Sequence, residues 1–127
     1  MNLLDASAIF NLFQGGKYDA LISGATIPLA RYEIGNILWK NCKVRKRISK
    51  KEAVESGKVL FELLDSMEQI SPSPVSVLSL SLEEGLTFYD SSYLISAIES
   101  GCELVTDDLN LYKIAGSRIT ALKSSDL

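Results

Sequence analysis

The chain has 127 residues, 46% hydrophobic and 23% charged, with 16 acidic against 13 basic residues for a net charge of -3. This is the composition of one folded domain, residues 1–127, with apolar material for a single core. Histidine is absent, which excludes Ser-His-Asp and Cys-His sites and His-ligated zinc, and leaves carboxylates as the groups for acid–base or metal chemistry.

No window approaches a membrane-spanning apolar run. The start, Met1-Asn2-Leu3-Leu4-Asp5, lacks the basic region of a signal peptide. Cys42 and Cys102 belong to no Cys-x-x-Cys pair. A cytoplasmic protein with reduced core thiols is therefore expected. No Walker loop, G-x-G-x-x-G, G-x-S-x-G or repeat is present.

Asn2 to Leu4 is a short apolar run that predicts a first strand ending at Asp5. Ala6 to Gln14 predicts a helix with Ala8, Ile9, Leu12 and Phe13 on one face, stopped by Gly15-Gly16. Tyr18 to Ser23 suits a second short helix, and Ala25 to Pro28 a strand limited by its proline. A long helix is expected from Leu29 to about Arg47. Its core side is Ile34, Ile37, Leu38 and Trp39, and Glu33, Asn36 and Lys40 form a polar stripe at i, i+3 and i+7. Ser49-Lys50-Lys51-Glu52 matches a capping box opening the next helix, with Ala53, Val59, Leu60, Leu63, Leu64 and Met67 as its apolar face. Ile70 to Pro74 closes that unit and leaves room for a short strand.

Val75 to Leu86 reads two ways. Leu78-Ser79-Leu80-Ser81-Leu82 alternates with period two, which favours a strand, and Glu83-Glu84 is a poor helix end. Phe88 to Ser100 predicts a helix with Leu94, Ile95 and Ile98 as core and Gly101 as its stop. Cys102 to Thr106 is a buried strand, Asp108 to Ala115 a short helix, and Arg118 to Leu122 a last strand. Strands alternating with helices predict a parallel sheet covered on both faces, with ligands bound beyond the carboxyl ends of the strands.

That rule gives the acids meaning. Asp5 follows the first strand, and Asp107 and Asp108 follow the Glu103-Leu104-Val105-Thr106 strand. Glu33 and Asp90 lie near the starts of two helices. Each has a plain alternative: the aspartates can cap helices, Thr87-Phe88-Tyr89-Asp90 fits a capping box, and Glu33 can face solvent. Together they are harder to explain as caps. Two carboxylates about 4 Å apart repel by roughly 4 kcal/mol at an effective dielectric of 20, so a cluster needs protons or a cation. Hard oxygen ligands select Mg²⁺ or Mn²⁺, which activate water and stabilise phosphoryl oxygens.

Four segments carry a family likeness: Leu3-Leu4-Asp5-Ala6-Ser7, Tyr32-Glu33-Ile34-Gly35-Asn36, Tyr89-Asp90-Ser91-Ser92-Tyr93 and Leu104-Val105-Thr106-Asp107-Asp108. In order and spread they resemble the PIN-domain family, and within it the small VapC-type toxin ribonucleases. The resemblance implies a three-layer α/β/α fold with a central parallel sheet of four or five strands. It implies a Mg²⁺- or Mn²⁺-dependent endoribonuclease, the toxin of a type II toxin–antitoxin pair, often homodimeric and neutralised by a small antitoxin. By position it assigns Asp5, Glu33, Asp90 and Asp108 as the acidic quartet, with Asp5, Asp90 and Asp108 anchoring metal and Glu33 binding metal or orienting water. Ser7, Asn36, Thr106 and Asp107 become their polar neighbours. Asp108 is preferred over Asp107 because the family pattern is Thr-x-Asp. The resemblance also favours a helix over Leu78 to Leu82.

Seven of the 13 basic residues fall between Lys40 and Lys51 with no acid among them, leaving a balance of -10 elsewhere. Lys40, Lys43, Arg45, Lys46 and Arg47 suit a patch that tracks RNA phosphates or docks an acidic partner; a solvated helix end accounts for them equally well. Tyr18, Tyr32, Tyr89, Tyr93 and Trp39 are read as packing or interface residues rather than base-stacking platforms. The competing functional reading is a catalytically silent module that binds RNA or protein. A phosphoacceptor receiver is disfavoured, since Asp5 stands alone after its strand and no lysine adjoins Thr106.

Overall fold

The computed structural model describes residues 1–127. Five parallel strands, β1 (Asn2–Leu4), β2 (Ala25–Thr26), β3 (Glu68–Gln69), β4 (Glu103–Val105) and β5 (Ala121–Leu122), form one sheet in the order β3-β2-β1-β4-β5. Between them run α1 (Ala6–Gln14), α2 (Tyr18–Ile22), α3 (Leu29–Trp39), α4 (Lys50–Ser66), α5 (Pro74–Glu84), α6 (Phe88–Ser100) and α7 (Leu109–Gly116). The parallel α/β architecture agrees with the sequence-based expectation. Helices α1 to α4 pack on one another, and α5 and α6 pair, with α6 against β1 and β4.

The strand order reverses direction between β1 and β4. Right-handed crossovers therefore send the chain leaving β1 to one face and the chain leaving β4 to the other. A crevice opens between them, at the carboxyl ends of both strands. Leu3, Leu4, Leu104 and Val105 are fully buried, as the two-sided cover of central strands requires. The edge strand β3 is polar and exposed, which discourages pairing with another chain.

The two readings of Val75 to Leu86 resolve as the resemblance implies, and two other expectations need correction. Pro74 to Glu84 is a helix, with proline in its first turn and Gly85 in the left-handed conformation at its end. The Leu/Ser alternation misleads because only Val77 and Leu80, three apart, are buried, while Leu78 and Leu82 face outward. The long helix from Leu29 stays α-helical only to Trp39; Lys40–Val44 is a π-helical turn, and Trp39 is exposed rather than core. The third short strand precedes Ile70, at Glu68–Gln69. The Ser49 box forms as expected: the Glu52 N–H donates to Ser49 Oγ at 3.1 Å, and the Ser49 N–H donates to Glu52 Oε1 at 3.0 Å.

Candidate active site

Pairing of Leu4 with Val105 sets Asp5 and Thr106 side by side where their strands end. The Asp5 N–H extends the ladder by donating to the Val105 carbonyl at 3.1 Å. The Asp5 carboxylate is nearly sealed from solvent. It accepts from the Ser7 hydroxyl at 2.7 Å, from the Ala8 N–H at 2.9 Å and from the Thr106 hydroxyl. It is thus a cap of α1 as well as a wall of the crevice. The two hydroxyls link onward: Ser7 Oγ accepts from the Asp107 N–H at 3.0 Å and Thr106 Oγ1 from the Asp108 N–H at 3.1 Å. Ser7 and Thr106 thereby tie the end of β1 to the segment after β4.

Burial is the largest influence on Asp5 and pushes its carboxyl up to about 6, against the lowering effect of the three donors. Asp90 is also raised, by burial first and then by the negative charges of Asp108 and Glu33. Its N–H donates to Thr87 Oγ1 at 3.1 Å, but the reciprocal bond of a capping box does not form, so its carboxylate remains in the crevice. Across from it on α3, Glu33 Oε1 accepts from the Tyr93 hydroxyl at 2.6 Å. Burial, then the adjacent Glu33 charge, holds that phenol strongly in its neutral, donating form.

Asp5, Glu33, Asp90 and Asp108 together line one cleft of about 470 Å³, with Ser7, Asn36 and Lys40 also in its wall. The stripe of Glu33, Asn36 and Lys40 therefore faces this cleft in full. Asp108 also caps α7, accepting from the Leu111 N–H at 2.8 Å. Asp107 turns away: its carboxylate accepts from the Ser124 N–H and hydroxyl at 2.8 and 2.5 Å and from Asn11 Nδ2 at 2.6 Å. Burial opposes its ionisation, but these donors outweigh it and hold the group below the usual carboxylate range.

The basic segment divides. Lys40 reaches the cleft, Arg45 and Arg47 line a neighbouring groove, and Lys43 and Lys46 stand in neither. The role of Tyr93 toward Glu33 was missed in the sequence, although its place one turn after Asp90 was a usable signal. The clamp of Asn11 and Ser124 on Asp107 joins residues far apart in the chain and left no local trace.

The donor set is carboxylate oxygen throughout and repels itself, which is the chemistry a divalent cation satisfies. As the side chains stand, no three acids gather tightly enough to hold an ion.

Fold and site define a class: a small doubly wound α/β domain with a carboxylate cleft at its topological switch point. No family model matches the sequence. Exonuclease VapC9 of Pyrobaculum aerophilum is 37% identical over 114 residues, spanning 86% of this chain and 81% of the relative. Ribonuclease VapC3 of the same organism is 31% identical over 119 residues, spanning 86% and 90%. The crystal structure of PAE2754 from Pyrobaculum aerophilum matches with a TM-score of 0.79 at 33% identity, covering 98% of this chain and 91% of that one. VapBC-1 from nontypeable Haemophilus influenzae shares the fold, with a TM-score of 0.60 at 10% identity and 98% of each chain covered. The chain belongs to the VapC-type branch of the PIN-domain family.

Proposed function

We propose that this protein is a Mg²⁺- or Mn²⁺-dependent endoribonuclease and the toxin of a type II toxin–antitoxin pair. The observation that carries the reading is the convergence of Asp5, Glu33, Asp90 and Asp108 on one cleft, with Asp5 and Asp90 both raised by burial. Relatives named as nucleases support it. Asp5, Asp90 and Asp108 would hold the cation, which when bound supplies Lewis-acid stabilisation of phosphoryl oxygens and a water acidic enough to ionise near neutral pH. Glu33 would orient the attacking water and is itself fixed by Tyr93. Ser7 and Thr106 keep Asp5 in one rotamer, and Lys40 offers a positive charge to a phosphate in the same cleft.

The family resemblance implies attack by water with the 3′-oxygen leaving, which would give 5′-phosphate and 3′-hydroxyl ends. Incubation with internally and end-labelled RNA tests the reading: internal fragments are expected in Mg²⁺ or Mn²⁺ and none in chelator. Stepwise trimming from one end would instead make the protein an exonuclease, and cutting unaffected by chelator would remove the metal.

A small antitoxin and a homodimer, with action in the cytoplasm where RNA is available, belong to the same proposal. Helix α5 leaves Val75, Leu78 and Leu82 exposed in an i, i+3, i+7 row, the kind of apolar stripe a second subunit covers. Light scattering of wild type and Leu82→Glu checks this: a dimer that the variant splits is expected.

A silent RNA- or protein-binding module has one observation in its favour, the spread of the acids in the present geometry. Calorimetric titration with Mn²⁺ decides, since absence of binding at millimolar metal would select the module.

A further inference from the structure

Beside the carboxylate cleft lies a second groove of about 330 Å³, between α1 and the π-helical turn. The two share Ser7 and Ile37 in their walls, so a strand leaving the first enters the second. No acid lines this groove; Asn11, Gln14, Asn41, Arg45 and Arg47 do.

The π turn builds it. The Arg45 N–H donates to the Lys40 carbonyl at 2.8 Å, five residues back. The wider turn places Arg45 Nη1 on Asn41 Oδ1 at 3.2 Å. Lys46 is the only non-glycine residue with positive φ, 51°. That left-handed step lets the chain double back, and the Arg47 N–H donates to the Asn41 carbonyl at 2.8 Å. Asn41 is therefore held from both sides and is only 7% exposed. Its oxygen is taken by Arg45, while its Nδ2 donates to no protein group. The only buried side-chain polar atom without a partner is Ser91 Oγ, so the Asn41 amide opens to the groove, where with Arg45 and Arg47 it offers donors to an anion.

We propose that Asn41, Arg45 and Arg47 form a subsite for a backbone phosphate of single-stranded RNA, flanking the phosphate that occupies the carboxylate cleft. The inference rests on the ribonuclease reading and gives it a strand path, from Lys40 across Ser7 to the π turn. An acidic peptide suits the groove less well, because continuing past Ser7 would bring its carboxylates against Asp5, Glu33, Asp90 and Asp108. A phosphodiester strand meets the same acids through the cation they are proposed to hold.

The test measures binding of a mixed-sequence single-stranded RNA to the full chain in chelator over a salt series. Arg45→Ala with Arg47→Ala is compared with Lys58→Ala, which removes one positive charge from an exposed face of α4. The double variant should bind about ten-fold more weakly, with the slope of log affinity against log salt shallower by about 0.7 per arginine removed. Arg45→Lys with Arg47→Lys should restore the slope but only part of the affinity, since lysine keeps the charge and loses the fork. In metal, KM for RNA should rise more than kcat falls.

If per-charge losses match Lys58→Ala, the effect is net charge alone and the subsite is wrong. If RNA binding is intact but affinity for polyglutamate falls, the groove serves an acidic partner and the RNA assignment is wrong. A wild type that cuts RNA while the arginine variants behave like wild type sinks the subsite alone. A wild type that neither binds nor cuts RNA sinks the ribonuclease reading as well.

Discussion

Asp5 and Asp90 carry the same group into the same cleft and are held in different ways. Asp5 is sealed at the end of a central strand, with three donors fixing both its oxygens. Asp90 is half-buried at the start of a helix, close to two other negative charges and lowered only slightly by the Thr87 hydroxyl. The first is rigid and disfavoured chiefly by burial. The second is freer to move and is opposed by its neighbours as well. Rigidity at one wall and adjustable charge at the other suit the proposed binding of a cation.

The largest effects that could break this contrast are on activity. Asp5→Asn and Asp90→Asn should each lower RNA cleavage in Mg²⁺ by about 10²-fold or more, the range for removing one directed charge from a reacting centre. Stability should separate the two. Burial holds the Asp5 carboxyl at about 6 in the folded protein against its ordinary value of 3.8, so the folded protein binds the proton more tightly than the unfolded chain. The Asp5 contribution to stability is then highest below about pH 4, falls between about pH 4 and 6, and stays low above that. In chelator at pH 7, Asp5→Asn should raise stability by up to about 3 kcal/mol, and the gain should vanish below about pH 4. The full gain is not expected, because the new amide meets the Thr106 hydroxyl, which must then accept rather than donate. Denaturant melts at several pH values read this. A destabilised Asp5→Asn at pH 7 would show that the hydrogen-bond network outweighs burial.

The next effect concerns the cation. At a Mn²⁺ concentration one hundred times its dissociation constant, wild type should gain about 2.7 kcal/mol. Asp90→Asn should lose most of that gain, while in chelator near neutral pH it should melt somewhat above wild type, because burial and the charges of Asp108 and Glu33 oppose ionisation of Asp90. Equal stabilisation of both proteins would remove Asp90 from the metal site. Below this in size comes Tyr93→Phe, which deletes the donor to Glu33. A loss of about 1–2 kcal/mol in stability is expected, with kcat reduced several-fold and KM little changed, since the change frees Glu33 without touching the acids that face it.

How much of this could be read in the sequence follows from where the information lies. Strands β1 and β4 are apolar runs cut off by acids, so their identity and the position of Asp5 are written locally. The polar row Glu33, Asn36 and Lys40 shows as a helical period, and all three residues reach the cleft. Helix α5 was open to misreading because its outer face is also leucine-rich, which mimics a strand's alternation. The π turn left no signal, since no glycine or proline marks it and it differs from an α-helix by one added residue per turn. The fate of Asp107 depends on Asn11 and Ser124, and only the folded chain brings those together.

That last pair gives the smallest and most selective prediction. Asp107 and Asp108 are adjacent in sequence, yet Asp108 lines the cleft while Asp107 is clamped to the short turn Ser124–Asp126 and to α1. Asp107→Asn should therefore cost no more than about 1 kcal/mol in stability. The cost should appear above the carboxylate range and disappear in acid, because the folded-state value is lowered and its contribution is lost as pH falls through it. Cleavage should drop far less than in Asp108→Asn, where a reduction comparable to Asp5→Asn is expected. Matched kinetics on the two asparagine variants check this. Equal losses would mean that the Ser124 clamp sets the position of Asp108 through the backbone, making the turn after β5 part of the site's support. A larger loss from Asp107→Asn would reverse the assignment of the fourth acid.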